Sequence, residues 1–350
     1  MTAAEATDAA AGRRRVRRAV IWTAAFVLGV PILLAFGAWL YIVRMPGQTG
    51  RGALAPLTPP QLEIRRRLER HVRELAGRIG ERNSVHYGAL EQAAAYVEAE
   101  MAALGYSVSS QPWTTADGQA FRNLEITSPG RARPSEVLVV GAHYDSNRGT
   151  PGADDNATGV AAVLELARLL RDEPHARTIR FVAFANEEIP FFGTADQGAR
   201  RYVATVKARG DDVRSMLSIE TIGYYATGAK TQLYPKPLNY FYPDTGNFIG
   251  FVGDLSSRAL VHQAISAFRR HTQFPSHGAA APASIPGVGW SDHEAFWAVG
   301  IPAVMITDTA PFRNPYYHTR GDTPDRIDYD RMARVVDGLE AVVRELAKGG

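Results

Sequence analysis

The chain has 350 residues, 45% of them hydrophobic, enough for one large domain or two ordinary ones. It contains no cysteine, which excludes disulfides and thiolate metal sites and leaves histidine and carboxylate as the side chains able to hold a metal. The formal net charge of +3 belongs to residues 1–18, where five arginines face Glu5 and Asp8, so the rest is neutral and gives no reason to expect a nucleic-acid partner.

In chain order, the basic arm (1–18) comes first and is followed by an uncharged run, Ala19 to Val43. As a helix this run is about 37 Å long, enough to cross a hydrocarbon core of roughly 30 Å with some tilt. Trp22, Trp39 and Tyr41 lie near its ends, where amphipathic rings favour the interface. It exceeds the roughly 15 apolar residues of a signal peptide, so a single-pass, uncleaved anchor is expected. The arginines precede it and only Arg44 follows closely, which predicts a cytoplasmic N-terminus and an exported remainder.

Residues 44–60, rich in Pro, Gly and Thr, read as a linker, and 61–350 as the folded domain. Helical spacing begins near Pro60 and stops at Gly80, and a second helix spans about 87–104. Strands are expected at 121–127, 136–142, 178–185, 215–220 and 303–307. Helices are expected at about 158–170, 194–206, 255–271 and 329–347. This alternation predicts an α/β fold with a mostly parallel central sheet sandwiched by helices, preceded by one transmembrane helix. Residues 224–290 break the rhythm with an aromatic, proline-rich stretch and a long small-residue loop, candidates for the walls or lid of a cleft.

Ligands of open α/β sheets bind beyond the carboxyl ends of the strands. The run "EVLVVGAH" ends at His143, with Asp145 two residues on and Asp154 and Asp155 in the following loop. "TIRFVAFANEE" ends at Glu187 and Glu188, "SMLSIE" at Glu220, and "NPYYHTRGDTPD" presents His318. Carboxylates converging on one cleft repel each other and are costly to desolvate, and divalent cations remove that cost. Asp154 reads as a turn-shaping residue, His293 in "SDHEAF" as structural, and His71, His86, His175, His262, His271 and His277 as surface or packing residues. No G-x-S-x-G elbow and no H-E-x-x-H helix is present.

The ordered set "HYD", "GADDNATG", "NEE", "SIE", "SDHEAFWAVGIPA" and "YHTRGDT" resembles the co-catalytic di-zinc exopeptidase family of bacterial leucyl-type aminopeptidases, whose relatives include glutamate carboxypeptidases and glutaminyl cyclases. The resemblance runs from about Asn123 to the C-terminus and implies two zinc ions per chain. By that resemblance His143 and Glu220 hold the first zinc, Glu188 and His318 the second, and Asp155 bridges both. Glu187 is the implied general base, working on a metal-bridging hydroxide, Asp145 orients His143, and Tyr317 donates to the oxyanion. Many relatives have aspartate at the position of Glu220, which alters the geometry expected there.

The resulting expectation is a membrane-anchored, extracytoplasmic zinc exopeptidase, an aminopeptidase acting on a peptide or small amide, with its oligomeric state left open. Two other readings are a glutaminyl cyclase-type acyltransferase with one zinc and a non-catalytic ectodomain. The five-ligand set speaks against the first and Glu187 against the second, since a binding module has no need of a general base.

Overall fold

The computed structural model describes residues 3–236 and 238–349. It divides into two compact units, one ending at Arg44 and one beginning at Met45. The first unit is helix α1 (Ala3–Ala38), which continues through Val43 as one widened turn. Its stretch Arg14–Val43 is long and apolar enough to cross a membrane, and Trp22, Phe26 and Leu34 on it are exposed.

The second unit is built on one sheet of eight strands: β1 (Ser109–Thr114), β2 (Ala120–Ser128), β3 (Arg133–His143), β4 (Arg177–Phe184), β5 (Asp212–Ile219), β6 (Ile249–Gly253), β7 (Ser276–Ala280) and β8 (Ala303–Thr307). Their order is β1-β2-β4-β3-β5-β8-β6-β7. β4, β3, β5 and β8 run parallel; β2 is antiparallel to β4 and β1 to β2, while β6 and β7 are parallel to each other and β6 is antiparallel to β8, so the sheet is mixed with a parallel centre. The helices are α2 (Pro59–Val72), α3 (Tyr87–Ala103), α4 (Gly159–Leu170), α5 (Gly198–Arg209), α6 (Arg258–His271), α7 (His293–Trp297), α8 (Ala310–Arg313) and α9 (Tyr329–Lys348).

Alternation along the central strands sorts their side chains between two apolar cores. Leu138 and Val140 of β3, with Ile179, Phe181 and Ala183 of β4, pack in the larger core with α2, α3, α4, α6 and α9. Val137 and Val139, with Val182 and Phe184, pack on the other face with α5 and α7. Both faces are covered, which is why these strands read as near-continuous apolar runs. Thr58 opens α2 with a capping box: its Oγ accepts the Gln61 N–H while Gln61 Oε1 accepts the Thr58 N–H.

Three strands escape the sequence reading. β1 carries Pro112 and lies at the sheet edge, where proline is tolerated. β6 and β7 are five residues each and glycine-bearing, too short for a period-2 signal. The helix expected from 255 begins at Arg258, because the Asp254 carboxylate accepts the Ser257 N–H and closes a turn there. The segment read as a linker lies along its own unit: Arg269 Nη1 donates to the Pro46 carbonyl (2.9 Å) and the Ser276 N–H to Thr49 Oγ1 (2.8 Å). Gly50 lies so close to Gln273 that a Cβ there would fall 1.5 Å from its carbonyl oxygen.

Candidate metal centre

The C-terminal ends of three central strands, β3, β4 and β5, bring residues to one place. His143 ends β3, Glu187 and Glu188 follow β4, Glu220 follows β5, and the loop from 144 to 158 brings Asp155 back toward β3. His318 arrives from the segment between α8 and α9. His143 Nε2 lies 3.2 Å from Asp155 Oδ1 and 3.3 Å from Glu220 Oε2. His318 Nε2 lies 2.9 Å from Asp155 Oδ2 and 3.4 Å from Glu188 Oε1. Two donor sets result, His143–Asp155–Glu220 and Asp155–Glu188–His318, with Asp155 common to both and the ligand atoms of each within 4.8 Å of one another.

The donor chemistry fits divalent cations of the zinc type, which take imidazole nitrogen and carboxylate oxygen. Asp155 Oδ1 and Glu188 Oε1 are buried without a hydrogen bond although histidine nitrogens lie close by, so each oxygen faces the cluster with capacity to spare. The electrostatics point the same way. Burial, followed by the negative charge of Asp155, pushes Glu188 up to about 7. Burial likewise raises Glu220 and carries Glu187 well above the usual carboxylate range. Burial disfavours charge on His318, but its bonds to Asp155 and Glu188 outweigh this and raise it to about 10. The cluster thus holds excess negative charge out of water and recruits positive partners to balance it.

A shell of hydrogen bonds fixes these groups. Asp145 accepts the backbone N–H of Glu187 and of Glu188, both at 3.1 Å, while its Oδ1 lies 3.4 Å from His143 Nδ1, so it ties the end of β3 to the end of β4. Glu220 Oε2 accepts from Ser291 Oγ (2.7 Å) and Asn156 Nδ2 (3.2 Å). Asp154 shapes its turn: Oδ1 accepts the Gly223 N–H and Oδ2 accepts from Asn314 Nδ2. Asn156 is fully buried, its Nδ2 donating to the Ile219 carbonyl as well as to Glu220. His293 is buried, bonded to the Val288 carbonyl and set edge-on to Trp297, a structural role.

Sequence reasoning missed three groups. Asp322 accepts the N–H of Asp154 and of Asp155, Asn147 Nδ2 donates to Glu188 Oε2, and Ser291 bonds Glu220. Asp322 and Ser291 stand inside the motifs "YHTRGDT" and "SDHEAF", which was the available signal. His277, read as a packing residue, lines a largely apolar pocket with Tyr234, Tyr242, Phe248, Trp290 and Phe312. Glu220 and Tyr317 line the same pocket, so it opens onto the cluster. Most of its walls come from residues 224–290, the segment that broke the strand–helix rhythm.

Residues 123–343 match Peptidase family M28. The chain is 36% identical over 323 residues to the uncharacterized protein YfbL of Escherichia coli, covering 90% of this chain and 94% of that protein. It is 29% identical over 236 residues to leucine aminopeptidase 1 of Arthroderma otae, covering 63% of this chain and 57% of the fungal protein, little more than half its length. Among solved structures, the zinc aminopeptidase BSAP from Bacillus subtilis has a TM-score of 0.66 at 16% identity, covering 81% of this chain and 95% of that one. The glutaminyl cyclase of Fimbriiglobus ruber has a TM-score of 0.60 at 20% identity, covering 85% and 98%. At these identities the two structures speak to the fold, a mixed sheet flanked by helices, while the family match and the YfbL relative carry the assignment: the chain belongs to Peptidase family M28.

Proposed function

We propose that the protein is a membrane-anchored, zinc-dependent aminopeptidase that removes a bulky apolar residue from the N-terminus of a peptide or small amide. The single observation that carries this reading is the pair of donor sets sharing Asp155, set beside an apolar pocket. His143, Asp155 and Glu220 would hold one zinc, and Asp155, Glu188 and His318 the second. Zinc there supplies Lewis acidity toward a carbonyl oxygen and lowers the pKa of water to near neutrality.

The chain's own groups do the rest. Glu187 belongs to neither donor set, yet its Oε2 lies 3.8 Å from His143 Nε2, so it faces the centre with a carboxylate free to take a proton from the attacking water. The same proton then goes to the leaving amine. Asp145 orients the His143 ring and, through the two amides it binds, aims Glu187. Burial raises the Tyr317 hydroxyl far above its ordinary range, so it stays protonated and donates to the developing oxyanion. Phe248, Trp290 and Phe312 would receive the substrate's first side chain, and the buried carboxylates would attract its free amine. The helix Arg14–Val43, with its arginines on the N-terminal side, supports an anchor with a cytoplasmic N-terminus and an extracytoplasmic catalytic unit.

The test is elemental analysis of the detergent-solubilised full chain together with three substrates: leucine anilide, its N-acetylated form and a Gln-initiated peptide. Two zincs per chain and turnover of leucine anilide alone are the expected results. Pyroglutamate formation with one zinc would replace the reading by a cyclase, and no metal after zinc is resupplied would leave a binding module.

A further inference from the structure

Arg82 lies on the loop between α2 and α3, outside the family match, and is among the most completely buried large side chains of the described residues. All of its guanidinium hydrogen bonds go to backbone carbonyls. Nε donates to Tyr144 (2.7 Å), Nη1 to Pro151 (2.5 Å), Gly80 (3.2 Å) and Leu75 (3.4 Å), and Nη2 to Gly152 (2.9 Å). A buried cation spread over carbonyls, with no carboxylate bonded to it, is a costly way to fill a core. Something must require those carbonyls to be gathered in one place.

What they share is the loop between His143 and Asp155. Tyr144 follows the first of these residues, and Pro151 and Gly152 precede the second. The backbone of Arg82 joins the same loop, accepting the Ser146 N–H (2.9 Å) and donating to Ser146 Oγ (3.1 Å), while Ser146 Oγ donates to the Thr150 carbonyl (3.0 Å). The loop is folded tightly enough on itself that residue 152 must be glycine: its φ is +63°, and a Cβ would fall 2.4 Å from the Asp155 carbonyl oxygen and 2.6 Å from Ser146 Cβ, with Arg82 Nη2 3.3 Å away. The carboxylates whose charge favours its ionised form are those of the centre and its shell, Asp145, Asp322, Asp155 and Glu188.

We infer that Arg82 is a positioning residue for the metal centre: one planar cation fixes the separation of His143 from Asp155 and balances part of the cluster's negative charge. This rests on the zinc reading above. Lysine cannot replace it, because an ammonium has three donors on one nitrogen and cannot bridge the two arms of the loop. Loss of an outer hydrogen-bonding partner of a metal site costs about 10–100-fold in metal affinity.

The experiment measures zinc affinity of the full chain by competition with a chromophoric chelator, and the visible spectrum of the cobalt-substituted protein, for wild type, Arg82→Lys and Ser146→Ala. Arg82→Lys is expected to lose tenfold or more in affinity and to shift the cobalt bands, with its far-ultraviolet circular dichroism retained. Ser146→Ala, which leaves the cation in place and loosens the same loop, is expected to lose affinity to a smaller degree and so carries the test if Arg82→Lys does not fold. Wild-type affinity and spectrum in a folded Arg82→Lys, or in Ser146→Ala where Arg82→Lys fails to fold, overturn the inference. A wild-type chain that binds no zinc instead overturns the zinc reading beneath it.

Discussion

Asp155 turns one oxygen toward His143 and the other toward His318, and this division lets two donor sets share a residue. Glu187, one residue before a member of the second set, stays outside both. The roles proposed for neighbours in sequence therefore separate cleanly by mutation. Glu187→Gln preserves shape and hydrogen bonding but cannot accept a proton, so kcat is expected to fall about 10²–10⁴-fold with zinc content unchanged. Steady-state kinetics beside metal analysis decide it, and activity within a few-fold of wild type would remove Glu187 from the chemistry. At this scale the candidate ligands were readable where they follow an apolar run, as His143, Glu188 and Glu220 do. Arg82 was not readable: it stands in a loop without periodicity, and its partners are carbonyls up to 70 residues away, which carry no side-chain signature.

Among the elements, the parallel strands made the site legible, since burial on both faces gives long apolar runs whose ends are easy to find. β1, β6 and β7 were obscure because an edge strand with proline, and five-residue strands with glycine, lack alternation. The backbone near the centre is also unusual: Asn186, Thr221 and His318 have φ of 58°, 49° and 54°, so residues beside Glu187 and Glu220, and one candidate ligand itself, occupy the left-handed region at a cost of about 1–3 kcal/mol each. Well-packed helices must offset such strain, and α2 against α3 offers a place to measure that support. His71 of α2 is buried there, its Nδ1 2.7 Å from the Tyr96 hydroxyl of α3. Burial, helped by the Arg70 charge, lowers its pKa from 6.5 to about 4. The folded state thus favours neutral His71, and its contribution is complete above pH 6.5, shrinks as pH falls and is gone below pH 4. That is worth on the order of 3 kcal/mol. In chelator-treated protein, so that metal loss does not enter, denaturant unfolding of His71→Leu is expected to vary less between pH 7 and 4 than wild type. Parallel profiles would mean that His71 charges as readily in the fold as in the unfolded chain.

For the whole molecule, the question is how much of the N-terminal third the catalytic unit needs. Residues 123–343 carry the family match, yet α2 and α3 supply Ile64, Leu68, Val72, Leu90 and Val97 to the main core, so the folded unit begins well before the match. It begins earlier still, because Met45 packs on that core and residues 46–50 are bonded to Arg269 and to Ser276 of β7. β7 is a sheet edge, short and poor in side chains, and the strap completes it by taking its first N–H. A chain starting at Met45 is therefore expected to be water-soluble, to bind zinc as the full chain does and to keep its turnover, since α1 contributes no site residue. A chain starting at Thr58 keeps the α2 cap but loses the strap. It forfeits hydrogen bonds worth about 1 kcal/mol each and uncovers Gln273 and β7, so its thermal midpoint is expected to fall by a few degrees relative to the Met45 chain. The effect should concentrate where the strap lay, with faster amide exchange at Ser276–Ala280 and in α6 than in β3–β5. Because β7 borders β6, and Phe248 and His277 of that region line the pocket, the Thr58 chain is also expected to lose affinity for apolar substrates before it loses zinc. Equal midpoints and equal exchange in the two truncations would reduce the strap to a passenger and restore the simple linker expected from its composition.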